Sequence, residues 1–402
     1  MEEWKEYKLS DFMEFNPKIS LKKDVIARKI TMDQLIPYSR DIYSWTYEPY
    51  SGGAKFQNGD TIMARITPCL ENGKHAYISL LDENETAFGS TEYIVMRGKK
   101  GVSDNKFVYY LTHHPSFKNS AIKSMVGSSG RQRAQVIVLE NLTMPLPILS
   151  EQIRIADMLS EFDDKIAVNR RICENLEAQA QALFKSWFVD FEPFKNGKFV
   201  ESELGMIPEG WRVGRLEELG DIVGGATPSK SEDSYYTSKG IAWLTPKDLS
   251  NKLSKFTSHG EIDLTQEGYN SCSAKLLPKG SVLFSSRAPI GYLTIAKNDI
   301  CTNQGFKSVV PKYAGTAYIY YLLKTNTKRI ESMSSGTTFK EASGSLMKSL
   351  AVIIPPKSII DNYEASVVEI FNEQEVIEDE STRLAELRDT LLPKLMSGQI
   401  KL

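Results

Sequence analysis

Cysteine and histidine are scarce, at four residues each in 402, and the cysteines Cys69, Cys173, Cys272 and Cys301 lie far apart with no Cys-x-x-Cys pair. That pattern speaks against a disulfide framework, a structural zinc site and haem. Long apolar runs are missing too. No stretch approaches the roughly 18 residues of a membrane span, and residues 1–20 place charges where a secretion signal needs an apolar segment. The reading is a soluble cytoplasmic protein with no membrane partner. A GxxxxGK[ST] phosphate loop is absent, which disfavours ATP binding by this chain. No Asn-Pro-Pro-aromatic tetrapeptide of the amino-methyltransferases occurs, since Phe15-Asn16-Pro17-Lys18 lacks the second proline and the aromatic. A glycine-rich turn for S-adenosylmethionine is missing as well, so no catalytic residue, cofactor-binding residue or metal ligand is expected. Net charge is nearly balanced at −2.

What the chain does have is an internal repeat. A stretch of about 150 residues followed by a heptad-patterned segment occurs once, then again about 208 positions later. Trp4 falls against Trp211, Tyr109-Tyr110 against Tyr320-Tyr321, Gly130 against Gly336, Pro147 against Pro355 and Leu183 against Leu391. A period this long is no solenoid unit, and predicts a duplicated domain-plus-helix with pseudo-twofold symmetry.

The heptad segments come next. Leu159, Phe162, Ile166, Asn169, Cys173, Leu176, Ala180, Leu183 and Trp187 alternate spacings of three and four, which keeps one seam on one side of a helix. Val367, Ile370, Gln374, Ile377, Ser381, Leu384, Arg388, Leu391 and Leu395 repeat that register with more polar members. Each helix alone would expose its stripe, so the two are expected to pair antiparallel within the chain, their polar seam positions selecting register. A helix over 151–188 would span about 57 Å, roughly 16 to 17 base pairs of duplex. The competing arrangement is two amphipathic helices packed separately on their own domains. The acidic run Glu378-Asp379-Glu380 reads as a solvated helix face.

The fold class is therefore α+β: two mixed α/β domains at 1–150 and 200–356, separated by helical regions at 151–199 and 357–402 that form an antiparallel coiled coil. Strands are predicted at 61–64, 92–96, 281–284 and 307–310, and helices at about 105–125 and 315–333. The globular parts are mildly basic, with 19 basic against 17 acidic residues over 1–150 and 18 against 15 over 200–356. The helical regions are acidic, at 7 against 9 and 5 against 10. That polarity suits phosphate on the one and protein partners on the other.

A Gly/Ser loop follows each predicted domain helix, Gly127–Gly130 or Ser334–Gly336, and then come Arg131-Gln132-Arg133 in one half and Thr337-Thr338-Phe339-Lys340 in the other. Arginine pairs with guanine O6/N7 and glutamine with adenine N6/N7, so Arg131, Gln132, Arg133, Thr337, Thr338 and Lys340 are candidate DNA contacts. Arg65 and Lys74, with Arg287, Asn303 and Gln304 in the second half, sit on nearby turns and suit phosphate or groove contact. Each could equally be a solvated charge beside a capping loop or one half of a local ion pair. Trp4, Trp45, Trp211 and Trp243 read as core or domain-edge packing.

Taken with the repeat, several stretches resemble the specificity subunits of type I restriction-modification systems: Leu219–Pro228, Trp243–Leu249, Asn303–Lys307, Ser335–Lys340, Leu183–Pro193 and Leu387–Ile400. The resemblance runs over the whole chain. The first globular half lacks the Thr-Pro-Ser found at 227–229, so its place follows from the repeat. The resemblance implies a non-catalytic reader of double-stranded DNA, with each recognition domain taking one half of a split, asymmetric site. It implies helices that set the unread spacer and dock two modification (methyltransferase) subunits, which a restriction (translocase and nuclease) subunit can join. S-adenosylmethionine, ATP and Mg would then sit on those partners. The alternative is a protein-protein scaffold with a coiled-coil spacer.

Overall fold

The computed structural model describes residues 4–250, 254–335 and 340–402. By its internal contacts the chain divides into two compact units, Met1–Asn169 with Glu380–Leu402, and Arg170–Asp379. Each unit holds one globular part and portions of both long helices, Leu149–Phe188 and Lys357–Leu395.

In the first unit, two four-stranded sheets carry the globular part. One runs Met13–Phe15, Tyr93–Gly98, Thr61–Ala64, His75–Tyr77, all antiparallel. The other runs Thr46–Pro49, Ile26–Ile30, Ala87–Gly89, Lys55–Phe56, with its central pair parallel. Thr61–Ala64 is buried along its whole length, as a β-rich strand covered on both faces should be. The predicted helix at 105–125 is two helices, Asn105–Leu111 and Pro115–Lys123. Pro115 has no N–H and its ring cannot follow a helical residue, so it opens a new helix capped by His114.

The second unit has a five-stranded sheet ordered Gly220–Gly224, Lys307–Pro311, Val282–Ser286, Ile290–Ala296, Phe256–Thr257. Its helix Thr316–Met333 is unbroken, as predicted. The repeat is visible in how each globular part is closed. Lys5–Lys8 pairs antiparallel with Thr143–Leu146, the strand entering the first long helix; Arg212–Arg215 pairs with Ala351–Ile354, the strand entering the second.

The long helices pair antiparallel in both units. In the first, the Asn169 amide donates to Glu380 at 2.7 Å and to the Ser381 hydroxyl at 3.3 Å, while Asp163 meets Arg388. In the second, the Gln374 amide donates to the Cys173 carbonyl at 3.1 Å and the Tyr363 hydroxyl to the Ala180 carbonyl at 3.4 Å. Residue numbers fall along one helix as they rise along the other. The seam differs from the predicted one at its ends: Asp163, Phe184 and Phe188 are buried, whereas Phe162, Leu183 and Trp187 are half-buried. A 3.6-residue helix drifts about 20° per heptad from a strict seven-residue repeat, and these end positions also pack on the globular parts. Phe184 and Phe188 stack with Tyr318 of the domain helix, and Leu159 shares a core with Phe107, Tyr109 and Tyr110.

Two buried polar clusters tie each globular part to its helices. Asp163 accepts from the Tyr110 hydroxyl at 2.6 Å and pairs with Arg388, which also donates to the Tyr38 carbonyl at 3.3 Å. In the second unit Glu177 pairs with Lys255 at 2.7 Å and with Lys324, and accepts from the Tyr321 hydroxyl at 2.9 Å. Lys255 further donates to Gln374 at 2.9 Å and sits 3.5 Å from the centre of the Phe371 ring. The acidic run is not a solvated face. Glu378 accepts from Lys255 N–H at 2.9 Å, Asp379 pairs with Lys297, and Glu380 holds Asn169. Among the described residues no helix is long and apolar enough to cross a membrane.

Candidate nucleic-acid interface

Each buried central strand runs into a strap that leaves the sheet. In the first unit Thr61–Ala64 continues through Arg65 and Ile66 to the cis Thr67–Pro68 bond. The Arg65 carbonyl accepts Ala134 N–H at 2.8 Å, and Thr67 N–H donates to the Gln132 carbonyl at 3.0 Å. Val126 and Arg133 exchange both main-chain bonds, at 3.1 and 2.9 Å, and so close the Gly/Ser loop at its base. Gly127 and Gly130 make that turn possible, with φ of +137° and +75° where a Cβ is disfavoured. Arg65, Arg131, Gln132 and Arg133, distant in sequence, thus share one edge of the unit.

Their side chains are not equally available. Arg133 spends Nε and Nη2 on Glu92 at 2.7–2.9 Å and turns Nη1 to the Arg131 carbonyl at 3.4 Å. Its hydrogen bond holds Glu92 below the usual carboxylate range. Arg131 is exposed and makes no side-chain hydrogen bond or ion pair among the described residues. Arg65 keeps a buried, unbonded Nε. The Lys74 ammonium, on the turn after the strap, is tethered to the Met32 carbonyl at 2.8 Å.

The second unit is built the same way with different side chains. Val282–Ser286 leads through Arg287 to the cis Ala288–Pro289 bond, and the Ser286 carbonyl accepts Ala342 N–H at 2.9 Å. Glu341, which stands where the repeat puts Arg133, reaches Arg287 at 3.6 Å and Lys307 at 3.3 Å. An arginine held by a glutamate in one unit corresponds to a glutamate holding an arginine and a lysine in the other. Thr337 and Thr338 lie outside the described residues; Lys340 is exposed just after them.

Beside this strap opens a cleft of about 600 Å³ whose lining includes Arg287, Asn303 and Gln304, three residues the sequence had singled out. It also takes in Thr227, Lys230, Tyr236, Trp243 and Lys247, which the sequence reading had not placed in a site. For Thr227, Trp243 and Lys247 the signal was present in the motif stretches at 219–228 and 243–249, but nothing local says that the two loops meet; Lys230 and Tyr236 lie outside both. Trp243 is core, as expected, with its indole N–H on the Ala226 carbonyl at 3.2 Å, and Trp211 is buried. Trp45 is exposed instead, beneath the Arg28 guanidinium at 4.8 Å. No group of three or more His, Cys, Asp or Glu able to hold a metal occurs among the described residues.

The family described as "Type I restriction modification DNA specificity domain" matches residues 1–178 and 208–387. Over the full length of both chains, the sequence is 26% identical to the type I restriction enzyme HindI specificity subunit of Haemophilus influenzae. It is 41% identical to the MjaIX specificity subunit of Methanocaldococcus jannaschii over 161 residues, 39% of this chain and 37% of that one. Among solved structures, the type I restriction-modification S subunit from M. genitalium is similar in fold, with a TM-score of 0.56 at 15% identity over 98% of this chain and 96% of that one.

Proposed function

The chain belongs to the type I restriction-modification DNA specificity family, and from that premise we propose that it is the DNA-reading subunit of a modification and restriction complex. The recognition domains are residues 1–150 and 200–356, each reading one half of a split, asymmetric site. The helical regions 151–199 and 357–402 set the unread spacer and dock two methyltransferase subunits, to which a restriction subunit can be added. Catalysis, S-adenosylmethionine, ATP and Mg reside on those partners, and the complex works in the cytoplasm.

The observation that carries this reading is the repeated strap. Two copies of one backbone construction present unlike sets of donors, Arg131, Gln132 and Arg65 against Arg287, Asn303 and Gln304, as two unlike half-sites require. Phosphate positioning falls to the cations around each strap, Lys74, Lys340 and Arg133 among them.

Purified with its methyltransferase partner, the chain should protect a bipartite site, with affinity falling steeply as salt rises because phosphate contacts release counterions. Protection of one contiguous palindrome would remove the two-headed reading. Affinity indifferent to salt would favour a protein-binding scaffold instead. Inserting one heptad near Ala178 should lengthen the spacer and leave both half-sites unchanged.

A further inference from the structure

Each globular part is fastened to both long helices of its own unit by a short segment, residues 38–40 in the first and 254–256 in the second. In the first, the Arg40 guanidinium donates to Asp164 at 2.6 Å and to the Ser160 carbonyl at 3.4 Å on one helix, while the Tyr38 carbonyl accepts from Arg388 at 3.3 Å on the other. The same segment is stitched to the sheet. Tyr38 N–H donates to the Gly73 carbonyl at 2.9 Å, and the Arg40 carbonyl accepts Tyr77 N–H at 3.0 Å. His75–Tyr77 is the strand paired with Thr61–Ala64, which runs on into the strap.

The second unit repeats the arrangement with other side chains. The Lys255 ammonium reaches Glu177 at 2.7 Å on the first helix, and Glu378 on the second accepts Lys255 N–H at 2.9 Å and Phe256 N–H at 3.2 Å. On the sheet side the Lys255 carbonyl accepts Ile295 N–H at 2.9 Å and the Thr294 hydroxyl at 3.1 Å. Ile290–Ala296 is the strand paired with Val282–Ser286, which runs into the second strap. In both units one segment ties two helices to the strand beside the one that carries the reader.

A globule held to a single rod can pivot about that rod, and attachment to a second, antiparallel rod takes the pivot away. Duplex geometry sets the size of the motion that matters. One base pair more or fewer in a spacer shifts a half-site by about 3.4 Å along the axis and turns it by about 34–36° around it. A reader free to pivot could follow that turn, and one gripped on two helices cannot. We propose that residues 38–40 and 254–256 are positioning bridges that restrict the complex to a single spacer length, with the length of the helices setting what that spacer is. This rests on the function proposed above and adds the residues that enforce its spacing.

The test uses the assembled complex with its methyltransferase partner and sequences methylated DNA for wild type, Arg40→Ala, Glu378→Ala and, as a stability control, Ile30→Val, which trims a buried side chain in the other sheet of the first unit. Wild type should methylate split sites of one spacer length. Arg40→Ala and Glu378→Ala should each keep the bases of both half-sites and raise methylation of sites whose spacer is one base pair longer or shorter by about 10-fold, the equivalent of one lost hydrogen bond to a charged group. Ile30→Val should lower the unfolding temperature and leave the spacer as strict as before. Should Glu378→Ala fail to fold, Arg40→Ala carries the test, since its partner Asp164 is exposed to water and tolerates the loss. An unchanged spacer in either folded variant overturns the bridge of that unit. Equal relaxation in Ile30→Val, a changed half-site base in Arg40→Ala or Glu378→Ala, or a wild type that already accepts several spacers overturns both. A wild-type complex that methylates no split site at all sinks the functional reading and the bridges together.

Discussion

Tyr110 and Tyr321 occupy matching places in the two halves, and each gives its hydroxyl hydrogen to a carboxylate on the first long helix, Asp163 in one unit and Glu177 in the other. The countercharges differ in origin. Asp163 is neutralised from the second long helix by Arg388, while Glu177 is neutralised from the globular part by Lys255 and Lys324. Burial pushes the Asp163 carboxyl above its ordinary value. Burial also works against the Glu177 charge, but the two lysines outweigh it and hold the carboxyl at about 2. Duplication has kept the need to satisfy a buried phenol and a carboxylate without keeping the residues that do it.

The largest effect expected from this contrast is on removing each carboxylate. Asp163→Ala leaves the buried Arg388, which cannot shed its proton, with only the exposed Asp389 at 2.8 Å as countercharge, and should cost the first unit about 3–5 kcal/mol. Glu177→Ala strands Lys255, but burial already lowers that ammonium to about 8. It can go neutral, and more readily once Glu177, which raises it, is gone, so the second unit should lose less, about 1–3 kcal/mol, and recover part of it as pH rises towards 8. Denaturant unfolding of the full chain, followed by hydrogen exchange within each unit, measures both. Equal losses at every pH would end the contrast.

Acid should separate the units next. His75 is fully buried, and burial lowers it to about 3; its neighbour His113, at 4.8 Å between ring centres, is pushed well below 6.5 by burial. Both bind protons more readily unfolded, so their contribution is complete above pH 6.5 and is lost as pH falls below it, by about 1.4 kcal/mol per pH unit for each histidine. In the second unit the contribution of Glu177 persists down to about 4.5 and is lost as pH falls towards 2. Between pH 6.5 and 4.5, exchange protection should therefore fail first in the first unit. His75→Gln or His113→Gln should narrow the gap.

The arginines of the first strap give a smaller effect. Arg131→Ala should relax one base of its half-site, at about 1–3 kcal/mol. If this edge lies on DNA as proposed, Arg133→Ala should instead weaken binding to all sequences, because Glu92 then loses its countercharge. Motif sequencing of the two variants tells these apart, and identical motif changes would mean that both arginines read bases. Smallest of all, Lys165→Ala breaks an exposed pair with Glu380 at 3.4 Å and should change stability by no more than about 1 kcal/mol.

The first long helix, expected over 151–188, runs Leu149–Phe188, and the second starts where its region was drawn at 357 but ends at Leu395 and not 402; a seam every three or four residues is a local property of the chain, whereas where the last turn stops is not. The duplication was legible through Tyr109-Tyr110 and Tyr320-Tyr321, whose size ties them to the core. What spacing does not carry is which distant side chain answers a given one. Lys255 reads as one more surface lysine until the fold brings Glu177, Gln374 and Phe371 around it. Arg133 likewise looks free until Glu92 arrives from a strand end far earlier in the chain. Pro115 was visible in the sequence, and its power to break the helix at 105–125 was the local signal left unused.

The excursion that carries Arg131 is fastened by main-chain bonds between Val126 and Arg133, and those bonds do not care which side chains lie beyond them. Codons for Ser128, Ser129, Arg131 and Gln132 can accordingly drift, one substitution at a time, at little cost to folding, while Gly130 keeps the turn. A lineage under pressure to address new targets has there a place where variation is cheap and its consequences are immediate.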